Sequence, residues 1–179
     1  MPQIEIRPAT SSDIPVLVKI DPACSTTHVW QMDYNSEQGQ IGVAFRDIRL
    51  PRSVRLEYPR SVESMPDTWT QKDLFLVARK DEELVGYLTL VADMETRTAR
   101  IVDLVVTDKL RRQGIGSALI LAAQDWASRQ KLRRMMLEMQ AKNHAGINLA
   151  RKMGYDFCGF NDHFFANHDI AVFFTYILK

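Results

Sequence analysis

The fold is decided by residues 101–119, which read IVDLVVTDKLRRQGIGSAL. This stretch begins with apolar residues interrupted only by Asp103, and such a run is typical of a strand buried in a sheet. A basic turn with Arg111 and Arg112 follows, and Gly114-Ile115-Gly116 then opens an amphipathic helix. A strand that leads through a turn into a helix predicts a right-handed crossover to a parallel strand.

The start of this helix has the chemistry of an anion site. The first amides of a helix lack intrahelical acceptors, and the helix dipole adds positive potential there. Glycines let the backbone approach a phosphate closely, and Arg111 and Arg112 add positive charge. The turn therefore predicts a pyrophosphate site. No Lys follows Gly116, as a Walker loop requires, and Leu119 stands where a dinucleotide fingerprint has Gly or Ala.

The segments on either side extend this pattern into one mixed sheet. An acidic turn joins two upstream strands into a hairpin, and a short helix over 145–153 ends at Gly154. The strands predicted around the central stretch lie at 74–78, 84–91, 135–139, 157–165 and 170–177. Because hairpins flank a parallel pair, the predicted class is α+β, with helices packed on a single sheet.

The pattern before residue 73 is weaker. Residues 4–7 alternate like a strand, and apolar residues from Ile14 to Ile20 mark a helix that Asp21-Pro22 should end. Two further strands are predicted at 40–50 and 54–58, separated by Pro51, and a loop or short helix at 59–70.

Length and charge limit the classes of protein that the chain can be. It has 179 residues, 46% of them hydrophobic and 25% charged, which suits one folded domain over residues 1–179. Lys and Arg (23) nearly balance Asp and Glu (22), so a nucleic-acid partner is not expected. No apolar run could cross a bilayer, and Met1 to Glu5 do not resemble a signal peptide, so we expect a cytoplasmic protein without a membrane partner.

Neither the cysteines nor the histidines have the spacing of a metal site. Cys24 and Cys158 lie far apart, and no His-Glu-x-x-His occurs among the four histidines. We therefore expect no metal cofactor. His163 and His168 flank the predicted last turn, where a surface position is expected.

Two motifs together resemble those of a known enzyme family. Arg111-x-x-Gly114-x-Gly116 is similar to the acyl-CoA signature of the GCN5-related N-acetyltransferases (GNAT). Asn143-x-x-Gly146-Ile147-x-Leu149-x-x-Lys152-x-Gly154-Tyr155 resembles the second motif of that family, at the distance its helix–strand–helix connection requires. The resemblance covers residues 74–178. Within the family, residues 137–140 and 159–174 are most similar to streptothricin acetyltransferases.

This resemblance implies a splayed sheet with helices on both faces, and it assigns roles to segments. Residues 99–154 would bind acetyl-CoA as co-substrate, and residues 22–72, which hold Arg46, Arg49, Arg52 and Arg55, would form a variable acceptor-side segment. The strand would pair with pantetheine, the turn would hold the pyrophosphate, and Asn143 would reach the cofactor arm or cap its own helix. The cofactor-binding residues implied are Leu104, Val105, Val106, Arg111, Arg112, Gln113, Gly114, Ile115, Gly116, Ser117 and Asn143.

Catalytic residues are less clearly implied. Many family members place a tyrosine four residues before the last glycine of the second motif, where this chain has Ala150. A thiol pKa of about 8.5 lets the thiolate leave with little protonation. Neutralising an amine whose pKa is about 10.4 costs roughly 4–5 kcal/mol at pH 7, so a general base is useful. The candidates are Asp103 and Glu138, either of which could instead be a structural carboxylate, and Arg100 occupies the position of a glutamate base used elsewhere in the family.

The function implied is transfer of an acetyl group from acetyl-CoA to a primary amine, by direct attack in a ternary complex. A small-molecule amine is the first expectation for the acceptor, and a peptide or protein amine is the second. The alternative is an acyl-CoA-binding module with little activity, which the absence of a hydroxyl at Ala150 would suit. A homodimer is plausible because a hairpin edge and an aromatic-rich end are expected to be exposed.

Overall fold

A computed structural model describes residues 3–179, so the expectation for the first two residues lies outside the described part. The strands are β1 Ile4–Pro8, β2 Cys24–Glu37, β3 Gln40–Leu56, β4 Leu74–Lys80, β5 Glu83–Asp93, β6 Thr98–Val106, β7 Arg134–Gln140, β8 Asp156–Asn161 and β9 Ala171–Ile177. Seven of them form one sheet in the order β1-β4-β5-β6-β7-β9-β8, and β2 pairs with β3 in a separate hairpin. Only β6 and β7 are parallel, so the sheet is mixed, as predicted.

Helices cover both faces of the sheet, which confirms the predicted α+β class. The helices are α1 Ile14–Leu17, α2 Met65–Thr68, α3 Ile115–Arg129 and α4 His144–Lys152. Helices α3 and α4 bury Leu119 and Ile147 in the larger core on one face, while α1 and α2 bury Leu17 and Met65 in a smaller core on the other. Among the described residues, no helix is both long and apolar enough to cross a membrane.

The hairpin of β2 and β3 was predicted only in part. Strand β2 was not predicted, because polar residues such as Gln31 and Asp33 interrupt the alternation of apolar and polar residues that identifies a strand. Strand β3 continues through Pro51, but its pairing stops at His28–Arg49 and resumes at Thr26–Val54. Pro51 therefore lies in an unpaired bulge, where its missing N–H costs no ladder hydrogen bond.

Two predicted element ends are wrong. Helix α1 ends at Leu17 instead of Ile20, because the amides of Lys19 and Ile20 bond to carbonyls three residues back and the chain continues as turns. Strand β8 ends at Asn161 instead of residue 165, since His163 takes a positive φ of 54° that breaks the extended backbone. Phe165 consequently lies in the loop before β9, where it is buried.

Candidate active site

The two parallel strands at the centre of the sheet separate after a short paired stretch. β6 and β7 pair from Thr98–Arg134 to Ile101–Leu137, and no pair follows although both strands continue. A cleft opens between their later halves, which confirms the splayed sheet that the resemblance implied. From the strands and from α4 it is lined by Val102, Leu104, Leu137, Met139, Gly146 and Leu149.

A β-bulge in β6 determines which way Asp103 points. Thr89 pairs with Asp103 and Leu90 with Ile101, so Val102 is an extra residue without a partner on β5. Without the bulge Asp103 would share a face with Ile101, which packs in the core beside α3. With it, Asp103 shares a face with Thr89 and lines the cleft.

Both carboxylate oxygens of Asp103 accept hydrogen bonds. The Tyr58 hydroxyl donates to Oδ1, and the Thr89 hydroxyl donates to Oδ2 at 2.5 Å. Burial raises the pKa of Tyr58 well above its usual value, and the negative charge of Asp103 raises it further. Tyr58 therefore keeps its proton as a donor, and Asp103 is held in one orientation at the cleft.

Glu138, on β7, is paired with two arginines. Its side chain has no exposed surface, Arg60 donates to Oε1, and Arg100 Nη1 lies 3.0 Å from Oε2. Burial would lower the pKa of Arg60, but the charge and hydrogen bond of Glu138 outweigh this and raise it. The structure pairs Glu138 with neighbouring arginines, as the structural alternative predicts, although its buried Oε2 accepts no hydrogen bond from the described residues. The residue expected at the family's base position, Arg100, is one of these arginines.

Replacing Glu138 by glutamine should therefore destabilise the fold. The change leaves Arg60 and Arg100 close together without their shared counter-charge, and loss of one partner from such a buried group costs about 3 kcal/mol. Urea unfolding measures the free energy. Glu57→Gln is the control, because Glu57 pairs with Arg55 but its side chain is 72% exposed, where a salt bridge contributes less than about 1 kcal/mol. Equal losses in the two variants would contradict this account of Glu138.

The turn before α3 presents a row of free amides. From Arg112 to Ser117, no backbone N–H donates to an acceptor in the described part of the chain, and the first bonded amide is that of Ala118, to Gly114 O at 2.9 Å. Gly114 caps the helix with a φ of 88°, a conformation that favours glycine. Nothing lies within 4 Å of the position that a Cβ on Gly114 would take. The amides therefore lack acceptors at the positive end of the helix dipole, and the space beside Gly114 is open.

The remaining implied residues of this turn have different surroundings. Ile115 is buried in the core, so only its amide is available. A Cβ on Gly116 would lie 3.2 Å from the Leu149 side chain, so this glycine lets α3 and α4 pack closely. Arg112 is exposed with a φ of 62°, and Gln113 is exposed near Lys80.

Arg111 is a structural residue of the turn. Its Nε donates to Val106 O at 2.9 Å, and its Nη2 donates to Ala23 O at 2.8 Å. Its third contact is an ion pair with Asp108 at 3.1 Å. The guanidinium thus fastens the end of β6 to the start of the β2–β3 hairpin, and it contributes positive charge to the turn from this fixed position.

Asn143 and Ala150 lie at opposite ends of α4. Asn143 caps the helix, since its Oδ1 accepts from Gly146 N at 2.9 Å, and it also lines the cleft. The capping alternative is therefore confirmed, while contact with a cofactor stays a prediction. Ala150 is fully buried in the core and does not line the cleft.

Three residues that line the cleft were missed by the sequence analysis: Tyr58, Arg60 and Phe165. Tyr58 was predicted as the end of a strand, Arg60 as part of a loop, and Phe165 as part of a strand. The available signal was indirect: a carboxylate on each central strand needs a donor, and the arginine-rich segment before residue 73 could supply one. Nothing in the sequence selects Arg60 from its neighbours.

The four histidines form two pairs. His28 stacks on His144 with ring centroids 4.9 Å apart, and His163 and His168 lie in the exposed loop before β9, as predicted. Within residues 3–179, no three His, Cys, Asp or Glu side chains come together in a way that could hold a metal ion.

Comparison with known proteins agrees with the architecture. The sequence profile of the acetyltransferase (GNAT) family matches residues 43–155, which is more than half of the chain. The chain therefore belongs to the acetyltransferase (GNAT) family, and it is an acetyl-CoA-dependent N-acetyltransferase. The resemblance that the two motifs indicated is confirmed.

Three similar proteins are named as streptothricin or nourseothricin acetyltransferases. Streptothricin acetyltransferase of Streptomyces lavendulae is 24% identical over 160 residues, which cover 87% of this chain and 82% of the relative. The crystal structure of nourseothricin acetyltransferase superposes with a TM-score of 0.86 at 18% identity, covering 98% of this chain and 99% of that one. A candidate streptothricin acetyltransferase from Bacillus anthracis, solved with acetyl coenzyme A, gives a TM-score of 0.76 at 19% identity, with coverages of 98% and 99%.

Proposed function

We propose that this chain transfers the acetyl group of acetyl-CoA to a primary amine of a small molecule, by direct attack of the amine within a ternary complex. One observation carries the proposal: the free amides of residues 112–117 and the unpaired half of β6 lie next to each other, and Asp103 lies in the same cleft. In this proposal residues 1–179 are one domain, residues 99–154 bind acetyl-CoA, and residues 22–72 form the acceptor side.

The residues present suit the parts of acetyl-CoA. Amides without acceptors at a helix start can hold a diphosphate, and the open space in front of Gly114 leaves room for it. Leu104, Val105 and Val106 run along the unpaired side of the splay, where an extended arm with amide groups can pair as a strand would. The carbonyl of Val106 already accepts from Arg111, so we expect the remaining groups of this strand to make those contacts.

The transfer itself balances without a further reactant. The amine nitrogen bonds to the acyl carbon, the carbon–sulfur bond breaks, and the sulfur leaves with the electron pair. The nitrogen loses one proton and the sulfur gains one, so the products are an acetamide and a free thiol. Oriented binding of both reactants supplies much of the acceleration, and backbone N–H groups of the splayed strand can stabilise the negative charge on the acyl oxygen.

Asp103 is the better of the two carboxylates for accepting the proton from nitrogen. It lines the cleft, and it accepts its hydrogen bonds from two neutral hydroxyls and none from a guanidinium of the described residues. Glu138 lies between two guanidinium groups and is fully buried, an arrangement that suits a residue that holds Arg60 in position. We therefore assign the base to Asp103 and a positioning role to Glu138.

The relatives support a small molecule as the acceptor. Streptothricin and nourseothricin acetyltransferases are named for small molecules, and the curated relative covers 87% of this chain. A protein acceptor is the second candidate because a ribosomal-protein-S18-alanine N-acetyltransferase from Escherichia coli also superposes, with a TM-score of 0.70 at 14% identity over 99% of this chain and 95% of that one.

Release of free thiol from acetyl-CoA across a panel of amines tests the proposal. The panel contains streptothricin, simple primary amines and a peptide with an N-terminal alanine, with a reaction lacking amine as the control. We expect turnover with streptothricin or another small amine, and a product that has gained one acetyl group by mass spectrometry. Turnover with the peptide alone would favour a protein acetyltransferase. Tight binding of acetyl-CoA without turnover of any amine would favour the binding module.

A further inference from the structure

Arg60 occupies the closed end of the splay. Ile101–Leu137 is the last residue pair between β6 and β7, and the next residue on each strand is a partner of Arg60. Its Nη1 donates to Val102 O at 2.9 Å, and its Nη2 donates to the carboxylate of Glu138. The guanidinium therefore spans the two strands at the point where the following pair would have formed.

This guanidinium is held in place from several directions. The Glu138 side chain is fully buried, so an Arg60 that moved away would leave a buried carboxylate with Arg100 as its remaining partner. The ring of Phe165 lies 5.3 Å from the guanidinium carbon and packs against it. That ring is buried, and its loop is fastened by Asp169, which accepts from Gln140 Nε2 at 2.7 Å. Arg60 is thus a rigid wall, unlike a typical surface arginine.

The position of this wall matters for the acyl donor. The turn with the free amides follows the open end of β6, and α4 follows the open end of β7, whereas Arg60 joins the two strands at the closed end, directly after the last residue pair. A thioester arm that enters from the turn therefore directs its acyl group toward the guanidinium. An acetyl group ends before this guanidinium, whereas a longer acyl chain must push the guanidinium away from its buried carboxylate partner, Glu138.

We propose that Arg60 limits the length of the acyl group, so that the enzyme accepts acetyl-CoA and rejects propionyl-CoA and butyryl-CoA. This inference rests on the proposed function, because it needs the thioester to lie between β6 and β7. A simple apolar pocket distinguishes one methylene by roughly 10–200-fold. A guanidinium held by an ion pair should give a selectivity in at least the upper part of that range, because repacking of apolar side chains cannot make room for the extra carbons.

The test compares kcat/KM for acetyl-, propionyl- and butyryl-CoA, with one amine at fixed concentration. The wild-type enzyme should prefer acetyl-CoA over butyryl-CoA by at least about 100-fold. Arg60→Ala should raise the butyryl-to-acetyl ratio at least tenfold. Arg60→Lys retains a cation beside Glu138 but is narrower, so it should raise the ratio less and also serves if the alanine variant does not fold.

Arg100→Ala is the matched control. Arg100 pairs with the same Glu138 carboxylate, but it does not line the cleft, so its removal changes the charge around Glu138 without moving the wall. The acyl-chain ratio should stay at the wild-type value in this variant, even if stability falls. An increase equal to that of the Arg60 variants would contradict the proposal, because it would attribute selectivity to the charge of Glu138.

Binding of the three acyl-CoA molecules, measured by calorimetry without amine, separates failure of this inference from failure of the proposed function. The inference is supported if the wild-type affinity falls from acetyl-CoA to butyryl-CoA and the Arg60 variants bind all three donors with similar affinity. Equal binding and equal kcat/KM for all three donors in the wild-type enzyme would overturn it and leave the proposed function intact. If no acyl-CoA binds to the wild-type chain, the proposed function and this inference both fail.

Discussion

Replacing Gly114 by aspartate is expected to lower the affinity for acetyl-CoA by at least about 100-fold, or roughly 2.8 kcal/mol. The new side chain would project into the open space beside Gly114, which lies within the row of free amides. Two like charges about 4–5 Å apart repel by roughly 3–4 kcal/mol at the effective dielectric near a protein surface. The carboxylate would also accept hydrogen bonds from the amides that the diphosphate needs. Calorimetric titration with acetyl-CoA measures the change.

Gly114→Asn is the matched control for this variant. Asparagine has nearly the same size and must adopt the same left-handed backbone, with φ of 88°, but it carries no charge. We expect its affinity to fall less than about tenfold. Wild-type affinity in the aspartate variant would refute the assignment of the turn to the diphosphate. An equal loss in both variants would attribute the effect to backbone strain.

Gly116→Asp is less suitable as a test of the same site. A Cβ at this position would lie 3.2 Å from Leu149, so the substitution also disturbs the packing of α3 against α4. Loss of acetyl-CoA binding in that variant is expected, but it would be accompanied by a lower free energy of unfolding. The two glycines of one motif therefore have separate roles: Gly114 leaves open space, and Gly116 allows a close helix contact.

Elements whose determinants are local could be predicted from the sequence. The turn before α3 needs only a glycine that can adopt positive φ and the start of an apolar helical stripe, and both occur within residues 101–119. The hairpin of β4 and β5 and the crossover from β6 to β7 follow from short-range alternation and from the handedness of such connections. Asp103 and Glu138 were both placed on central strands, and both line the cleft.

The opposite wall of the cleft could not be predicted because its contacts join distant parts of the chain. Tyr58 and Asp103 are 45 residues apart, and Arg60 and Glu138 are 78 residues apart. Only the tertiary fold brings such residues together, and neither their spacing nor their residue types in the sequence indicate that they are partners. The bulge at Val102 has the same origin: one unpaired residue reverses the face on which Asp103 lies, while the residue order is compatible with either face.

Asp103→Asn is expected to lower kcat by about 10²–10⁴-fold, which is the usual contribution of a general acid or base. Asparagine keeps the shape of the side chain, and its oxygen can still accept from the Tyr58 hydroxyl, but it cannot take up the proton that the amine nitrogen loses. The affinity for acetyl-CoA should stay within about twofold of the wild-type value. Because protons must then leave to solvent, the remaining activity should rise with pH where the wild-type profile is level. Normal turnover with lower stability would instead make Asp103 a structural carboxylate.

Tyr58→Phe tests whether the orientation of Asp103 matters. Phenylalanine removes the hydroxyl that donates to Oδ1 and leaves Thr89 as the remaining donor, so we expect kcat to fall about tenfold. Tyr87→Phe is the control, because Tyr87 is also buried near Asp103. Burial raises the pKa of Tyr87, and the charge of Asp103 raises it further. Within the described residues, however, Tyr87 makes no hydrogen bond to Asp103. Its kcat should change less than about twofold.

If both variants lose activity equally, packing around Asp103 matters more than the hydrogen bond. If Tyr58→Phe alone loses activity, and the loss disappears in the Asp103→Asn background, the two residues act on the same proton.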